Sequence, residues 1–418
     1  MKKIGILGYG TIGSGVAAAF RQNRDRIELL AGEPVEVWRI LDLRDFPGDP
    51  MESRVTHVSD ELLNDPEIDI VVETMGGLHP AYEFVKQALE NGKSVVTSNK
   101  LLVEAKGAEL GRVAAEHGVA YLFEGSVGGC IPIVRALNTC VAQDDVLQIH
   151  GILNGTTNFI LMQMESEGSS FEEALAEAQR RGYAERNPEA DVDGLDAARK
   201  IAILASMQCG KHVPFEEVPT QGIRMIDLAD LAAARSLGGR IKLVGSFVHE
   251  RGDVSNIYMS VMPMFIPRER MLSGVDGVYN AVQVTSNLMG DSVYYGKGAG
   301  KMSTASAVVA DILAILEGKG PKEMHLWSEE IMHPLPLSKR TGSYMLRMKI
   351  ASTDITEVLM RLREHPLLRR VMMVGDSYTT LTRDCNEEDL ESLTEALSGQ
   401  VQMISVYPVL PSSPVMED

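Results

Sequence analysis

Four cysteines in 418 residues, Cys130, Cys140, Cys209 and Cys385, are too few and too scattered for a disulfide framework, and no Cys-x-x-Cys pair offers a zinc site. That usage predicts a reducing compartment, with the cytoplasm as the expected location. Positive charge is also short: 40 Lys and Arg against 58 Asp and Glu leave a formal net charge of −18. Such a surface repels phosphate backbones and anionic headgroups, which argues against nucleic acid and membranes as partners. No apolar run approaches the roughly 20 residues that span a bilayer. The start, Met1-Lys2-Lys3 followed by Ile4 to Leu7, imitates a signal peptide, but Gly8, Gly10 and Gly13 interrupt it and no small-residue cleavage site follows. It reads as a first strand.

A chain of 418 residues exceeds the size at which one core keeps growing, so two or three domains are expected. The 22 methionines follow no ligand-like spacing and read as core filler. Over residues 1–130, short apolar runs (Ile4 to Leu7, Val35 to Leu41, Ile68 to Glu73, Ser94 to Thr97) alternate with helix-like stretches (Gly15 to Phe20, Ala81 to Glu90). This βαβ rhythm predicts an α/β domain with a parallel sheet. Residues 131–302 mix helices with alternating strands such as Val254 to Met262 and suit an α+β layer. The apolar, Ala-rich helix from Ser303 to Leu316, within a segment at about 303–330, is expected to complete the first domain. Pro334 to Ser343 reads as a linker. Beyond it, residues 344–410 predict βαββαβ: strands at Tyr344 to Ala351, Val371 to Val374, Tyr378 to Thr382 and Val401 to Val409, and helices at Asp354 to Glu364 and Asn386 to Leu397. Pro411 to Asp418 reads as a frayed tail.

Gly8-Tyr9-Gly10-Thr11-Ile12-Gly13 fits Gly-x-Gly-x-x-Gly, directly after an apolar strand and opening a helix. There the glycines allow a tight turn and bring backbone N–H groups and the helix N-terminus to a pyrophosphate, so NAD or NADP is the expected cofactor. The end of the second strand selects between them, because a carboxylate bonds the ribose hydroxyls whereas an arginine neutralises a 2′-phosphate. Leu41-Asp42-Leu43-Arg44-Asp45 offers both: Asp42 argues for NAD and Arg44 for NADP.

The stretch from Gly182 to Lys200, GYAERNPEADVDGLDAARK, is the most informative. A helix beginning near Ser169 or Ser170, with Glu172 and Glu173 as capping-box partners, ends at Gly182, and another begins near Asp193. On the second, Asp196 and Lys200 share a face. An isolated pair at this spacing is usually a surface ion pair. Here Ile201 to Ala205 continue the helix with apolar residues all round, so the lysine stands at the mouth of a buried helix.

This stretch resembles the homoserine dehydrogenase signature: Ala-Glu, a Pro-containing acidic loop, then Asp-x-x-Gly-x-Asp-Ala-x-x-Lys. Four further segments resemble that family in the same order: Thr97 to Lys100, Glu124 to Pro132, Gly151 to Asn158 and Tyr294 to Gly300. The likeness covers about residues 1–320, departs at Asn187 where the family usually has Asp, and is to the monofunctional form. It implies a Rossmann-type domain, interconversion of L-homoserine and L-aspartate 4-semialdehyde in threonine, methionine and isoleucine biosynthesis, and a homodimer through the second domain. By the same resemblance Lys200 is the proton donor, and Glu185, Asp191 and Asp196 hold the substrate. Lys100 lies near the cofactor and the reacting oxygen, while Thr74, Gly182, Gly298 and Gly300 complete the nucleotide pocket around Gly8, Gly10, Thr11, Ile12, Gly13 and Arg44. Glu124, Val127, Gly129 and Ile131 match residues that bind a monovalent cation, Na+ or K+, largely through backbone oxygens. NADP is the preferred cofactor by the match at Leu43 to Asp45. The alternatives are a nucleotide-binding sensor without catalysis and another semialdehyde or hydroxy-acid dehydrogenase on the same fold.

Residues 344–410 resemble ACT domains in their element order. Amino-acid-binding ACT domains place a glycine-containing turn between the first strand and helix, where backbone N–H groups approach the ligand. Here the junction reads Ala351-Ser352-Thr353-Asp354-Ile355-Thr356, with neither glycine nor proline, so strong inhibition by threonine is not expected.

Overall fold

Ile4, Ile6 and Leu7 are wholly shielded from solvent, and the strand that carries them, β1 (Lys2–Leu7), lies inside a six-stranded sheet. Its partners are β2 (Val35–Leu41), β3 (Val55–Thr56), β4 (Ile70–Glu73), β5 (Ser94–Thr97) and β6 (Tyr121–Leu122), in the order β3-β2-β1-β4-β5-β6. Every pairing is parallel. The order reverses between β1 and β4, the switch point beside which such sheets bind nucleotides. In this computed structural model, which describes residues 1–250, 253–318 and 326–413, the sheet belongs to the first of two compact units, made of 1–145, 199–215 and 294–333. The helix Lys301–Leu316 buries Ala305, Val308, Val309 and Ile312 against the Thr11–Gln22 helix and the sheet. It ends at Leu316, and residues 319–325, which include part of the expected 303–330 segment, lie outside the described residues.

The second unit comprises 146–198, 216–293 and 334–418. A five-stranded sheet has the order β10-β9-β7-β11-β12, formed by β7 (Val146–Ile152), β9 (Gly239–Glu250), β10 (Asp253–Pro267), β11 (Tyr279–Ser286) and β12 (Gly290–Lys297), and all of it but Tyr294 to Lys297 belongs to this unit. The remaining small pair, β8 (Lys211–His212) with β13 (Ser328–Ile331), is parallel and lies in the first unit. The C-terminal residues form β14 (Tyr344–Ile350), β15 (Met372–Val374), β16 (Ser377–Leu381) and β17 (Val401–Pro408), all antiparallel in the order β15-β16-β14-β17, with helices Ile355–Glu364 and Glu387–Ala396 between them. That is the βαββαβ order expected from the sequence, with element ends shifted by a residue or so. Leu346, Met348, Val358, Leu362 and Leu393 form its core.

The segment Pro334 to Ser343 is fastened down rather than a loose linker. The Leu335 N–H donates to the Ile257 carbonyl on β10 at 2.8 Å, and a short 3-10 turn covers Leu337–Lys339. The residues just past β17 are anchored to β10 as well, with the Leu410 N–H donating to the Phe265 carbonyl at 2.8 Å. A buried knot adds to this: Arg347 on β14 donates to Asp230 at 2.7 Å and to Asp227 at 2.6 Å, while Ser405 and Tyr407 on β17 donate to Asp230 at 2.5 and 2.8 Å. Residues 414–418 of the expected frayed tail lie outside the described residues. Among the described residues no helix is long and apolar enough to cross a membrane.

Candidate functional site

The glycine-rich turn joins β1 to the Thr11–Gln22 helix, whose first N–H groups carry no side-chain cap. Gly13 is required by close approach: a Cβ there would stand 2.0 Å from the Gly8 carbonyl oxygen and 2.9 Å from Thr74 Oγ1. A Cβ on Gly10 would meet nothing within 4 Å, so that side of the turn is open to a ligand. Thr74, just past β4, locks the turn from below, donating its N–H to the Leu7 carbonyl at 2.9 Å and its hydroxyl to the Gly8 carbonyl at 2.8 Å. Uncapped N–H groups at a helix start, an open glycine face and the C-terminal edge of a parallel sheet together suit a pyrophosphate.

At the end of β2, Asp42 is the inward residue, its side chain 9% exposed against 63% for Arg44. One Asp42 oxygen accepts the Tyr9 N–H at 2.7 Å, and the two oxygens accept Arg44 Nε and Nη2, each at 2.9 Å. The Arg44 hydrogen bonds, joined by the Tyr9 N–H, bring the Asp42 carboxyl down to about 2. The two residues that argued from sequence for opposite cofactors are thus one ion pair at the same strand end.

Lys100 opens the Lys100–Glu116 helix after β5. Its position is set by Asn99, whose side chain accepts the Leu102 N–H at 3.3 Å and donates to the Gly77 carbonyl at 2.6 Å. Beneath it Glu73, wholly buried at the end of β4, accepts the Thr97 hydroxyl at 2.6 Å and the Met75 N–H at 2.8 Å. Burial raises the Glu73 carboxyl above its ordinary value.

The Glu124 to Ile131 segment folds tightly against residues 297–298. Gly129 has φ +60°, and a Cβ there would come within 2.6 Å of the Gly298 carbonyl, so only glycine fits. The Glu124 carboxylate is turned to the start of the Ile133–Arg135 helical turn, where it accepts the Val134 and Arg135 N–H groups at 3.0 and 2.8 Å. Its own N–H donates to Asp311 at 2.8 Å, and Asp311 pairs with Arg135 at 2.7 Å. Burial, reinforced by the charge of Asp311, pushes Glu124 up to about 8, and burial pushes Asp311 up to about 6. Gly300, with φ +131°, starts the Lys301–Leu316 helix.

In the second unit, Ser170 caps the Phe171–Arg180 helix with Glu173 in a complete capping box, as the sequence predicts, and Gly182 follows with φ +74°. One extra helical turn, Glu189–Val192, intervenes before the Leu195–Cys209 helix. Asp191 and Asp196 converge on Asn154, whose amide donates to them at 2.7 and 2.9 Å. The same side chain caps the Gly155–Glu167 helix by accepting the Thr157 N–H at 2.9 Å. Among the hydrogen bonds of the described residues none brings the Glu185 side chain into this cluster, and it stands exposed. Asp196 and Lys200 occupy successive turns of one helix, 5% and 8% exposed, and Ile201 to Ala205 beyond them are almost wholly buried.

Sequence reasoning assigned no role to Asn154, Glu73 or Asp311. Asn154 lies within Gly151 to Asn158, and an acid in an otherwise apolar helix was the available signal for Asp311.

Residues 8–124 match the homoserine dehydrogenase NAD-binding domain family, and residues 132–313 match the homoserine dehydrogenase family. The homoserine dehydrogenase of Synechocystis is 44% identical over 318 residues, 75% of this chain and 73% of that protein. That of Neisseria gonorrhoeae is 39% identical over 83% of this chain and 81% of its own length. Among solved structures, a homoserine dehydrogenase from Thiobacillus denitrificans superposes with a TM-score of 0.85 at 34% identity, covering 98% of both chains. A hyperthermophilic archaeal homoserine dehydrogenase in complex with NADPH gives 0.64 at 29% identity, over 75% of this chain and 97% of that one. Both of its domain matches and its full-length likeness point the same way: this chain belongs to the homoserine dehydrogenases, oxidoreductases that use a nicotinamide dinucleotide.

Proposed function

We propose that Lys200 is the proton donor in the reduction of L-aspartate 4-semialdehyde to L-homoserine, and the base in the reverse direction. The reduced nicotinamide, when bound, supplies the hydride to the aldehyde carbon. Negative charge then grows on the carbonyl oxygen, and an ammonium beside it both stabilises that charge and delivers a proton. The carrying observation is the placement of Lys200 one turn beyond Asp196 at the head of a buried helix. Asp191 and Asp196, held together by Asn154, supply negative charge for the substrate ammonium, with Glu185 as a third carboxylate from the neighbouring loop. Lys100, at the carboxyl end of β5, serves the cofactor and the reacting oxygen. Lys200→Met is expected to lower turnover about 10²–10⁴-fold while dinucleotide affinity, titrated by nicotinamide fluorescence, stays at the wild-type level. Retention of more than a tenth of wild-type turnover overturns this role.

NADP is the favoured cofactor in this reading. Asp42 is already neutralised by Arg44, and Arg44 keeps an exposed guanidinium where a 2′-phosphate would lie. The archaeal relative holds NADPH. Main-chain oxygens around Glu124, Val127, Gly129 and Ile131 would hold Na+ or K+, since the Glu124 side chain is committed to N–H groups and an oxygen-only donor set suits a hard cation. Residues 344–410 are read as an ACT-like domain, the enzyme as a cytoplasmic homodimer, and its place as a step of threonine, methionine and isoleucine biosynthesis.

A further inference from the structure

We propose that the second unit carries a binding site for a small carboxylate, in the cavity between β10 and the strand ends of the C-terminal sheet, with Arg340 as its anchor. The cavity has a volume of about 280 Å³. That is the volume of roughly nine water molecules, ample for a four-carbon acid. Ser260 and Met262 on β10 form its floor, and Arg340, Thr341, Ser343 and Asp384 contribute to its walls.

Charge in this cavity is out of balance. Arg340 is half-buried, and among the described residues its guanidinium makes no hydrogen bond or ion pair. Burial lowers its pKa, and the neighbours that oppose this are the phenols of Tyr344 and Tyr258 rather than a carboxylate. A half-buried arginine without a counter-ion has lost part of its hydration with nothing in exchange, and a bound carboxylate would offset that loss through a bidentate contact.

Nearby groups deepen the imbalance. His150, fully buried in the row Gln283–His150–Ser246–Ser260 that crosses the sheet, is pushed down to about 3 by burial and then by the charges of Arg340 and Arg270. Arg270 has a buried Nη2 without a partner. Asp291, the acid on this side, is already bonded by Thr285 and Ser413 at 2.6 Å each. Asp384 stands in the cavity wall, accepting the Ser343 hydroxyl at 2.6 Å, and is exposed. Two sources of the carboxylate fit this lining: a simple organic acid held by Arg340 alone, or an α-amino acid whose ammonium also meets Asp384.

The test uses the full chain and the matched pair sodium butyrate and L-2-aminobutyrate, which differ only by the ammonium, at constant ionic strength. Each is titrated against wild type and Arg340→Gln, with melting temperature and calorimetric heat as readouts. The expected result is a saturable rise in melting temperature for wild type and at least about a tenfold weaker response in Arg340→Gln, the loss of one charge-assisted contact. Only the part lost in Arg340→Gln is counted, which removes any binding of the amino acid at the catalytic site. Without ligand, Arg340→Gln should melt no lower than wild type, whereas an arginine with a merely structural role would leave a less stable protein. Ser260→Leu, which fills the cavity and leaves Arg340 in place, should also abolish the response. Tighter binding of L-2-aminobutyrate than butyrate, with the gap closed by Asp384→Asn, identifies an α-amino acid; equal binding identifies a simple acid. No saturable response to either compound, or an undiminished one in both Arg340→Gln and Ser260→Leu, overturns the proposal.

Discussion

Asn154 offers the sharpest separation between a residue that builds the fold and one that positions the two carboxylates proposed to hold substrate. Its Oδ1 caps the Gly155–Glu167 helix through the Thr157 N–H at 2.9 Å, and its Nδ2 bridges Asp191 and Asp196 at 2.7 and 2.9 Å. The two functions are carried by opposite ends of one amide, so different substitutions remove them separately. Asn154→Ala removes both, and Asn154→Ser keeps the cap but lacks the amide donor. Loss of the cap costs about 1 kcal/mol, so urea denaturation should find the alanine variant less stable than the serine variant by about that amount. Hydrogen bonds to charged groups contribute about 1.5–3 kcal/mol each. Asp191 is only partly buried, so water replaces much of its bond, while Asp196 at 5% exposure recovers less. A net loss near 1.4 kcal/mol at the carboxylates corresponds to about a tenfold rise in KM for homoserine, common to both variants. Turnover at saturation should stay within about threefold and NADP affinity should not change, because neither Lys200 nor the glycine turn is touched. Initial rates against homoserine at fixed NADP give the split. If serine restores the wild-type KM while alanine does not, the effect belongs to the helix cap and the positioning role is refuted.

At the cofactor end, Arg44→Ala should weaken NADP roughly 10–100-fold, by loss of charge-assisted contacts, while the released Asp42 holds NAD at least as well as before; equal NADP affinity in variant and wild type would refute the placement. Arg347→Met should destabilise the second unit by about 3 kcal/mol, the low end for breaking a buried pair, because Asp230 keeps the bonds from Ser405 and Tyr407. That corresponds to roughly 6–12 °C in melting temperature for a domain of this size, and a fall under 2 °C would show the knot to be dispensable. Saturating L-threonine should leave activity of the full chain within about twofold, because Asp354 caps the Ile355–Glu364 helix through the Glu357 N–H at 3.0 Å and Ser352 bonds the Asp354 N–H at 3.1 Å, occupying N–H groups an effector would need. Strong inhibition in a threonine titration would overturn that reasoning.

The family, the dinucleotide-binding sheet and the C-terminal βαββαβ order were legible because each rests on short-range pattern. β1 carries the buried run Ile4 to Leu7, β2 buries Val35, Val37, Ile40 and Leu41 in a largely apolar stretch, the Gly8 to Gly13 turn is contiguous, and Ser170 with Glu173 forms its capping box within one turn. These features are written in period and spacing, which local physics reads directly. The choice between Asp42 and Arg44 was not legible, because a sequence presents two residues in order and not their directions. Asp42 turns inward to the Tyr9 N–H and Arg44 folds back upon it, so the alternatives collapse into a single pair.

The pairings that organise the candidate site are of a different kind. Thr97 reaches Glu73 across 24 residues, Asn154 reaches Asp191 across 37, and Glu124 reaches Asp311 across 187. No periodicity predicts such partners. What a sequence does show is the demand for them. Asp311 stands in Ala307-Val308-Val309-Ala310-Asp311-Ile312-Leu313, and a helix apolar on every side leaves an acid no route to water, so it must be met by a donor from elsewhere. The structure meets it with the Glu124 N–H and the Arg135 guanidinium. At Arg340 the demand is left open: it shares a cavity with Asp384, yet among the described residues its guanidinium is paired with no acid. Asp311, satisfied by the chain itself, is part of the scaffold; Arg340, half-buried and unmatched, is where the carboxylate is proposed to bind.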